Sequence, residues 1–242
     1  MCPSPPHEPC GSEQWRRFLA ENARTMGIDV TDRQLEQFSI HARELARWNK
    51  TVNLTAITDP AESAIKHFLD AMVPAPFIDP GGSLLDIGTG AGFPGIPLKV
   101  LVPSIALTLV ESSIKRVTFL GQVVRLLSLE SVTILHRRVE QVPRPPETPA
   151  FDTVICRAFA SLTAFVAAAL PLAGPSGQLI AMKGSGYKKE LDALRQSTIK
   201  LPSGKPATAS DVFDLHVHAY SLPVAEAKRV LIILKKRPSI AA

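Results

Sequence analysis

From residue 81 onward, short apolar runs alternate with stretches whose apolar residues follow helical spacing, and this alternation restricts the possible folds more than any other feature. Strands are predicted at 83–87, 105–111, 132–136, 151–157 and 178–183. Helices are predicted between them at 97–102, 114–128 and 161–172. Such an order indicates right-handed βαβ units and an α/β fold with a mostly parallel, Rossmann-like sheet that is covered on both faces.

The two ends of the chain depart from this alternation. Three helices are expected before it: one at 12–27 capped by Ser12, one that begins at Thr31 or Asp32, and one capped by Asp59. After it, two strand patterns at 212–220 and 229–236 have few residues and no helical pattern between them, which indicates an antiparallel hairpin. We therefore expect a disordered tail (1–11), an N-terminal helical extension (12–80) and one compact core (81–242).

Composition excludes several classes of protein. With 45% hydrophobic and 20% charged residues, the chain is of ordinary globular type. Cys2, Cys10 and Cys156 form no CxxC pair, so a zinc or redox site has little support, and the apolar run 162–173 is too short to span a bilayer. No targeting segment is expected, and a reducing cytoplasm fits best. The net charge of +5 favours a polyanionic partner, although it is equally compatible with a simple gain in solubility.

A glycine-rich loop joins the first predicted strand to the first predicted helix of the core. Residues 85–95 read LDIGTGAGFPG, and a ligand should bind outside the carboxyl end of that strand. Two cofactor classes compete for this loop. Gly90, Gly92 and Gly95 match the dinucleotide fingerprint, whereas Gly88, Gly90 and Gly92 match the loop usual in methyltransferases. The residues that separate the strand from Gly90 favour the second class.

Two acidic residues support the same choice. S-adenosylmethionine carries a sulfonium and a zwitterionic tail, and Asp86 could attract its ammonium directly or through water. Glu111 ends the second strand, where a carboxylate can accept hydrogen bonds from ribose hydroxyls. The alternative that remains is a glycine-rich turn that binds nothing.

Longer strings of residues carry a family resemblance. These are Trp48-Asn49-Lys50-x-x-Asn53-Leu54-Thr55, His67-x-x-Asp70, Phe93-Pro94-Gly95-Ile96-Pro97-Leu98, Lys115-Arg116-x-x-Phe119-Leu120, Arg138-Val139-Glu140, Arg157-Ala158-Phe159-Ala160 and Lys183-Gly184. In order and wording they resemble the ribosomal RNA small subunit methyltransferase G family, also called the glucose-inhibited division protein B family, over about residues 15–236. Ala71 departs from the pattern, because a serine often follows the aspartate there.

The resemblance implies a class I methyltransferase that uses S-adenosylmethionine to methylate N7 of one guanine in the decoding-centre hairpin of 16S rRNA. It implies cofactor contacts at Gly88, Phe93, Val139, Glu140 and Arg157. The partner would be 16S rRNA or the small ribosomal subunit, and we expect a monomer without a metal. Alternatives are a methyltransferase of the same fold for a small molecule or protein, which should lack a basic rim, a dinucleotide-dependent oxidoreductase, and a non-catalytic RNA-binding module.

Several polar residues are candidates for RNA contact. Asn49 and Asn53 share a face if helical, although capping or loop bracing would explain them as well. His67 could contact substrate or be a buried, hydrogen-bonded histidine, and Lys183 could meet a phosphate or cap a strand end. A basic rim could be formed by Lys115, Arg116, Arg125, Arg137, Arg138, Lys188 and Lys189. His216 and His218 lack further ligands for a metal.

No general base is expected. Guanine N7 has a free lone pair and no proton, so the reaction is an in-line displacement at the methyl of the sulfonium. Positioning alone can contribute on the order of 7–11 kcal/mol to such a step. The guanine must be accessible, so it should lie in a loop or be flipped out.

Overall fold

A seven-stranded sheet forms the centre of the computed structural model, which describes residues 5–201, 204–223 and 227–237. The strands of this sheet are β1 Ser83–Ile87, β2 Ala106–Glu111, β3 Val132–His136, β4 Phe151–Arg157, β5 Ala173–Lys183, β8 Phe213–Leu222 and β9 Ala227–Lys236. Their order is β3-β2-β1-β4-β5-β9-β8. The first five are parallel, and β9 is antiparallel to both β5 and β8. The predicted parallel sheet and the predicted C-terminal hairpin are both confirmed.

The helices begin where the capping residues predict. The α-helices are α1 Glu13–Thr25, α2 Asp32–Val52, α3 Pro60–Glu62, α4 Asp70–Met72, α5 Gly95–Leu101, α6 Ile114–Leu126, α7 Leu162–Ala169, α8 Tyr187–Gln196 and α9 Ala209–Val212. The side chains of Ser12, Thr31 and Asp59 each accept a hydrogen bond from a backbone N–H of the first turn. Between α3 and α4 the chain continues as a π-helical segment, Ser63–Leu69, which the sequence pattern does not distinguish from an α-helix.

Successive residues of the strands enter two separate cores. Leu84 packs with the N-terminal helices, α5 and α6, whereas Leu85 packs with α7 and α8 on the opposite face. This alternation repeats along β4 and β9, as expected for side chains that point to opposite faces of a sheet. The N-terminal helices therefore share one hydrophobic core with the sheet.

Residues that precede α1 also contact the helices. The Gly11 carbonyl accepts hydrogen bonds from the Ser39 hydroxyl and from Arg43, the latter at 2.9 Å. The backbone N–H of His7 donates to the Gln14 side chain at 2.9 Å. His7 and Gly11, which fall in the stretch expected to be a disordered tail, thus have partners in α1 and α2, whereas residues 1–4, with Cys2, lie outside the described residues.

Several elements were not predicted. Helix α8 presents buried Leu191 and Leu194 to α7, and it carries Lys188 and Lys189. A small second sheet pairs β6 Thr198–Lys200 with β7 Pro206–Thr208. In addition, β5 begins five residues earlier than the predicted 178. Within the described ranges, no helix has the length and apolar character required to cross a membrane.

The strand order determines where a ligand can bind. The chain runs from β1 outward to β2 and β3, and then returns to place β4 on the other side of β1. This reversal opens a crevice at the carboxyl ends of β1, β2 and β4. The crevice is where Ile87, Glu111 and Arg157 end their strands.

Candidate functional site

Backbone hydrogen bonds fix the glycine loop that follows β1. The N–H of Gly88 donates to the Val110 carbonyl of β2 at 2.9 Å, and the N–H of Gly90 donates to Oε2 of Glu111 at 3.1 Å. At the far end of the loop, the N–H of Gly95 donates to Oδ2 of Asp86 at 2.8 Å. The loop is thus attached to both β1 and β2 before any ligand binds.

The glycines of the loop fall into two groups. Gly88 and Gly90 have φ values of 69° and 62°, and a Cβ built on either would meet no atom within 4 Å. A Cβ on Gly92 would lie 2.5 Å from Cδ1 of Ile96, and one on Gly95 would lie 2.6 Å from a Leu109 methyl. The first two glycines therefore face open space, and the other two allow close packing inside the protein.

Asp86 braces this loop. Its side chain has no exposed surface, and Oδ2 accepts from the Thr89 hydroxyl at 2.6 Å as well as from Gly95. Burial raises the pKa of Asp86 to about 6, against the hydrogen bonds from Thr89 and Gly95, which lower it. The carboxylate is thus enclosed by its own loop. A direct contact between it and a ligand ammonium stays a prediction.

Glu111 stands at the other side of the loop. It is 4% exposed, and its Oε1 accepts from the N–H of Ser113 at 2.8 Å while Oε2 holds Gly90. Arg116, in the first turn of α6, places Nη1 3.7 Å from Oε2. The 3-10 turn Val139–Gln141 follows β3 at the same edge of the sheet. Glu111, Arg116 and the predicted Val139-Glu140 pair thus border the crevice on one side of Gly90.

Phe93 lies in a stack of three rings. His41 of α2 and His67 of the π-helical segment stack on Phe93 at centroid distances of 4.9 and 4.8 Å. Phe93 is 3% exposed, and His41 hydrogen-bonds the Ala91 carbonyl at 2.9 Å. The stack joins the N-terminal helices to the glycine loop, which explains the Phe in this motif by packing.

Arg157 connects the end of β4 to the same region. Its guanidinium lies 5.1 Å from the centre of the Phe93 ring, and Nη1 donates to the Lys66 carbonyl at 2.9 Å. Nη2 donates to Nδ1 of His67 at 3.3 Å. Nη1 is also 3.6 Å from Oδ2 of Asp70. These contacts hold the guanidinium over the crevice.

The contacts of His67 fix its protonation. Because Nδ1 accepts from Arg157, Nε2 carries the proton and donates to the Thr55 hydroxyl at 2.8 Å. Burial lowers the pKa of His67 to about 3, and the positive charge of Arg157 contributes. His67 is therefore the buried, hydrogen-bonded histidine of the two alternatives, although its ring borders the cavity described next.

A cavity of about 360 Å³ opens beside Arg157, and we call it the Arg157 cavity. Its polar walls come from α4, the π-helical segment and the ends of β4, β5, β8 and β9. They include His67, Asp70, Arg157, Lys183, Tyr220 and Arg229. The Tyr220 hydroxyl donates to Oδ1 of Asp70 at 2.8 Å, so β8 helps to hold the Asp70–Arg157 pair.

The other RNA candidates have structural partners. Asn49 bonds the backbone of Thr55 twice, at 2.9 Å for each contact, and Asn53 has a φ of 48° at the C-terminal cap of α2. Lys183 is 8% exposed and bonds Glu190 at 2.7 Å. These contacts match the bracing and capping alternatives, and none of them excludes a contact with RNA.

The predicted basic rim is divided between the two ends of the sheet. Lys115 and Arg116 begin α6, and Arg137 and Arg138 follow β3, so all four lie at the carboxyl edge of the strands. The first turn of α8, with Lys188 and Lys189, follows β5 at this edge as well. Arg125 is in the last turn of α6, at the opposite edge. The prediction that Arg125 flanks the cleft is therefore wrong, because a helix of 13 residues carries its end about 20 Å from its start.

Some residues of the cavity were not predicted as site residues, among them Asp70, Tyr220 and Arg229. Asp70 was visible only within the His67-x-x-Asp70 string. Tyr220 and Arg229 are partners in the β8–β9 register, and they point to the same face as Arg157. A pairing register for the predicted hairpin would have placed these two residues side by side.

The buried histidines should make the fold sensitive to acid. Their pKa values of about 4 for His41 and about 3 for His67 lie below the usual value near 6.5, so below that pH the unfolded chain binds protons that the folded chain does not. As the pH falls, each histidine then lowers the free energy of unfolding by up to about 1.4 kcal/mol per pH unit. Below about pH 6 the folded chain binds a proton at Asp86, whose pKa is raised, and this offsets the effect of one of the two histidines. We expect a net loss of about 2 kcal/mol in the free energy of unfolding from pH 7 to pH 5.

Urea unfolding at the two pH values measures this loss. His67→Asn should make the free energy of unfolding less dependent on pH. His218→Asn, which removes an exposed histidine, is the matched control. Equal free energies at pH 7 and pH 5 for the wild type would contradict the assignment of neutral, buried rings.

Comparisons with known proteins agree with this geometry. A family model described as "rRNA small subunit methyltransferase G" matches residues 34–210. A curated protein of that name from Oceanobacillus iheyensis is 39% identical, covering 93% of this chain and 90% of its own length. The Bacillus velezensis protein of that name is 38% identical, with 94% and 91% covered.

Solved structures show the same fold at low sequence identity. A predicted O-methyltransferase from Agrobacterium tumefaciens superposes with a TM-score of 0.54 at 20% identity, covering 69% of this chain and 80% of its own. TYW2 of M. jannaschii, solved with AdoMet, gives a TM-score of 0.51 at 14% identity, covering 70% and 76%. The sheet is thus that of the Rossmann-like methyltransferases, and by its family match and its relatives this chain belongs to the rRNA small subunit methyltransferase G family.

Proposed function

We propose that this protein transfers the methyl group of S-adenosylmethionine to N7 of a guanine in the decoding-centre hairpin of 16S rRNA. Family membership supports an rRNA methyltransferase. The observation that carries the proposal is the open space beside Gly88 and Gly90. This space is next to Glu111, and Arg157 ends the strand adjacent to β1. The atom and the position in the rRNA come from the family resemblance.

The residues of the crevice fit this cofactor. The space beside Gly88 and Gly90 is open, and an acceptor for ribose hydroxyls, Glu111, stands beside it. A dinucleotide would require Gly92 to face the ligand, yet a Cβ there would contact Ile96 and Leu120 instead. The open glycines and the carboxylate beside them therefore favour S-adenosylmethionine over a dinucleotide. The cofactor would supply an electrophilic methyl group on a sulfonium.

The residues of the Arg157 cavity would position the guanine. Guanine N7 carries no proton, so no residue has to remove one. His67 is neutral, and its Nε2–H is held by Thr55, which leaves it no role as a base. Arg157 can donate hydrogen bonds beyond those it makes to Lys66 and His67. The site therefore acts by orientation and exclusion of water rather than by proton transfer.

The first turn of α6 should contact the RNA backbone. We expect Lys115→Ala combined with Arg116→Ala to weaken RNA binding and to flatten its dependence on salt, because two cations at the crevice edge are lost. Cofactor affinity should change little, because Glu111 keeps its hydrogen bonds from Gly90 and Ser113 when the long contact with Arg116, 3.7 Å, is lost. Arg125→Ala is the matched control, since it removes a cation from the other end of the same helix. An unchanged salt slope in the double variant would place Lys115 and Arg116 outside the RNA footprint.

The experiment that tests the proposed function is a map of methylated guanines in 16S rRNA. Cells that lack this protein should lose a single N7-methylguanine in the decoding-centre hairpin, and the purified protein with S-adenosylmethionine should restore it. If the modified position differs, or the lost methyl group is on another atom, the proposal fails. We also propose a cytoplasmic, monomeric enzyme that acts without a metal.

A further inference from the structure

We propose that Arg229 binds the phosphate of the nucleotide that enters the Arg157 cavity, so that the cavity has a base end at Arg157 and a phosphate end at β9. This inference rests on the proposed function. Arg229 is near the start of β9, and it borders the cavity together with Arg157 and Tyr220.

Charge pairing in the cavity leaves Arg229 as the exception. Lys66 pairs with Glu62 at 2.6 Å, Arg157 with Asp70 at 3.6 Å, and Lys183 with Glu190 at 2.7 Å. Across residues 5–201, 204–223 and 227–237, the side chain of Arg229 makes neither an ion pair nor a hydrogen bond. Its Nε is buried and has no partner there. A buried guanidinium N–H without an acceptor is costly, which favours an anionic ligand.

The position of Arg229 in the sheet selects among possible anions. The glycine loop follows β1, and β9 is three strands away in the order β1-β4-β5-β9, which is about 14 Å. Arg157 ends β4, the strand next to β1, and is therefore nearer than Arg229 to a ligand held at Gly88 and Gly90. An anion at Arg229 therefore belongs to the other substrate, the RNA.

The chemistry of the acceptor makes that anion a phosphate. Arginine often recognises guanine through O6 and N7, but N7 must stay free to receive the methyl group. The planar fork of a guanidinium matches two phosphate oxygens. Gly184 leaves room beside this group, since a Cβ at Gly184 would lie 3.4 Å from Nη1 of Arg229.

Arg229→Ala and Arg229→Lys test this proposal, with Lys235→Ala as the matched control. Lys235 is on the same strand and the same face, but it pairs with Gln178 about 20 Å away at the opposite edge of the sheet. The probe is 16S rRNA from cells that lack the protein, naked or in the small subunit, whichever form the wild-type protein methylates. Binding is measured over a series of salt concentrations, and S-adenosylhomocysteine affinity is measured by calorimetry.

We expect Arg229→Ala to weaken RNA binding about tenfold to a hundredfold and to lower the salt slope by about one. Arg229→Lys should keep the slope and recover part of the affinity, which also separates a lost contact from a misfolded protein. Lys235→Ala should behave as the wild type.

Three results would overturn the proposal. Weaker RNA binding with an unchanged salt slope would indicate a contact with the neutral base. A loss of S-adenosylhomocysteine affinity would assign Arg229 to the cofactor. Wild-type RNA affinity in both variants would remove Arg229 from the site. If the wild type itself fails to methylate 16S rRNA, the proposed function fails instead, and the two failures are thus distinct.

Discussion

Gly90→Val should abolish binding of S-adenosylmethionine while the protein stays folded. The backbone at Gly90 has a φ of 62°, and a side chain there would project into the open space of the crevice rather than into the protein. The space lost is the space that the cofactor needs. The free energy of unfolding should fall by about 1–2 kcal/mol, because a residue with a Cβ is then held in left-handed backbone. Calorimetry with S-adenosylmethionine measures the affinity, and urea unfolding measures the stability.

A second glycine supplies the control for this strain. Gly27, in the turn between α1 and α2, has a φ of 70°, and a Cβ there would also meet no atom within 4 Å. Gly27→Val should therefore lose a similar amount of stability and none of the cofactor affinity. Gly90→Ala, with a smaller side chain, should weaken binding less than valine does. Near-wild-type affinity in Gly90→Val would refute the assignment of the glycine loop to the cofactor.

The sequence predicts the glycine loop well because its constraints are local. A buried strand, a run of glycines and a helix start follow one another within residues 83–101, and each has its own pattern. The same holds for the hairpin, whose two strands are near each other in the chain. The fold class therefore follows from the order of strands and helices alone.

Other parts of the site depend on contacts between distant residues. The Tyr220–Asp70 hydrogen bond joins positions 150 residues apart, and no local pattern reports it. Helix α8 escapes prediction because only Leu191 and Leu194 of its ten residues are buried, among charged neighbours. The hydrogen bonds that Oδ2 of Asp86 accepts from Thr89 and Gly95 form only once the loop has folded back over the strand end, so no local pattern reports them.

The π-helical segment shows why the position of His67 was ambiguous. A wider helical turn between Ser63 and Leu69 changes which side chains point toward the glycine loop, and helical periodicity does not resolve it. The structure places the His67 ring against both Phe93 and Arg157. His67 thus belongs to the support of Arg157 and to the wall of the cavity at once.

Arg157→Ala should slow single-turnover methylation on the order of a hundredfold or more, because the substitution removes the residue that we propose orients the guanine against the methyl group. The guanidinium is fixed by Lys66, His67 and Asp70, so its donors point to a defined place above Phe93. Single-turnover rates at saturating cofactor separate this step from binding. Tyr220→Phe is the control: it removes the hydrogen bond to Asp70 but keeps Arg157, and should cost far less.

The pH dependence of the same reaction tests whether Arg157 orients or a base acts. His41 and His67, with pKa values of about 4 and about 3, are neutral above pH 6, and the Asp86 carboxyl, with a pKa of about 6, is enclosed by its loop. We expect wild-type and Arg157→Ala rates to be nearly constant between roughly pH 6.5 and 8.5. A wild-type rate that rises about tenfold per pH unit would indicate a titrating base. The acceptor would then be an atom that carries a proton, and guanine N7 would no longer be the acceptor that fits the site.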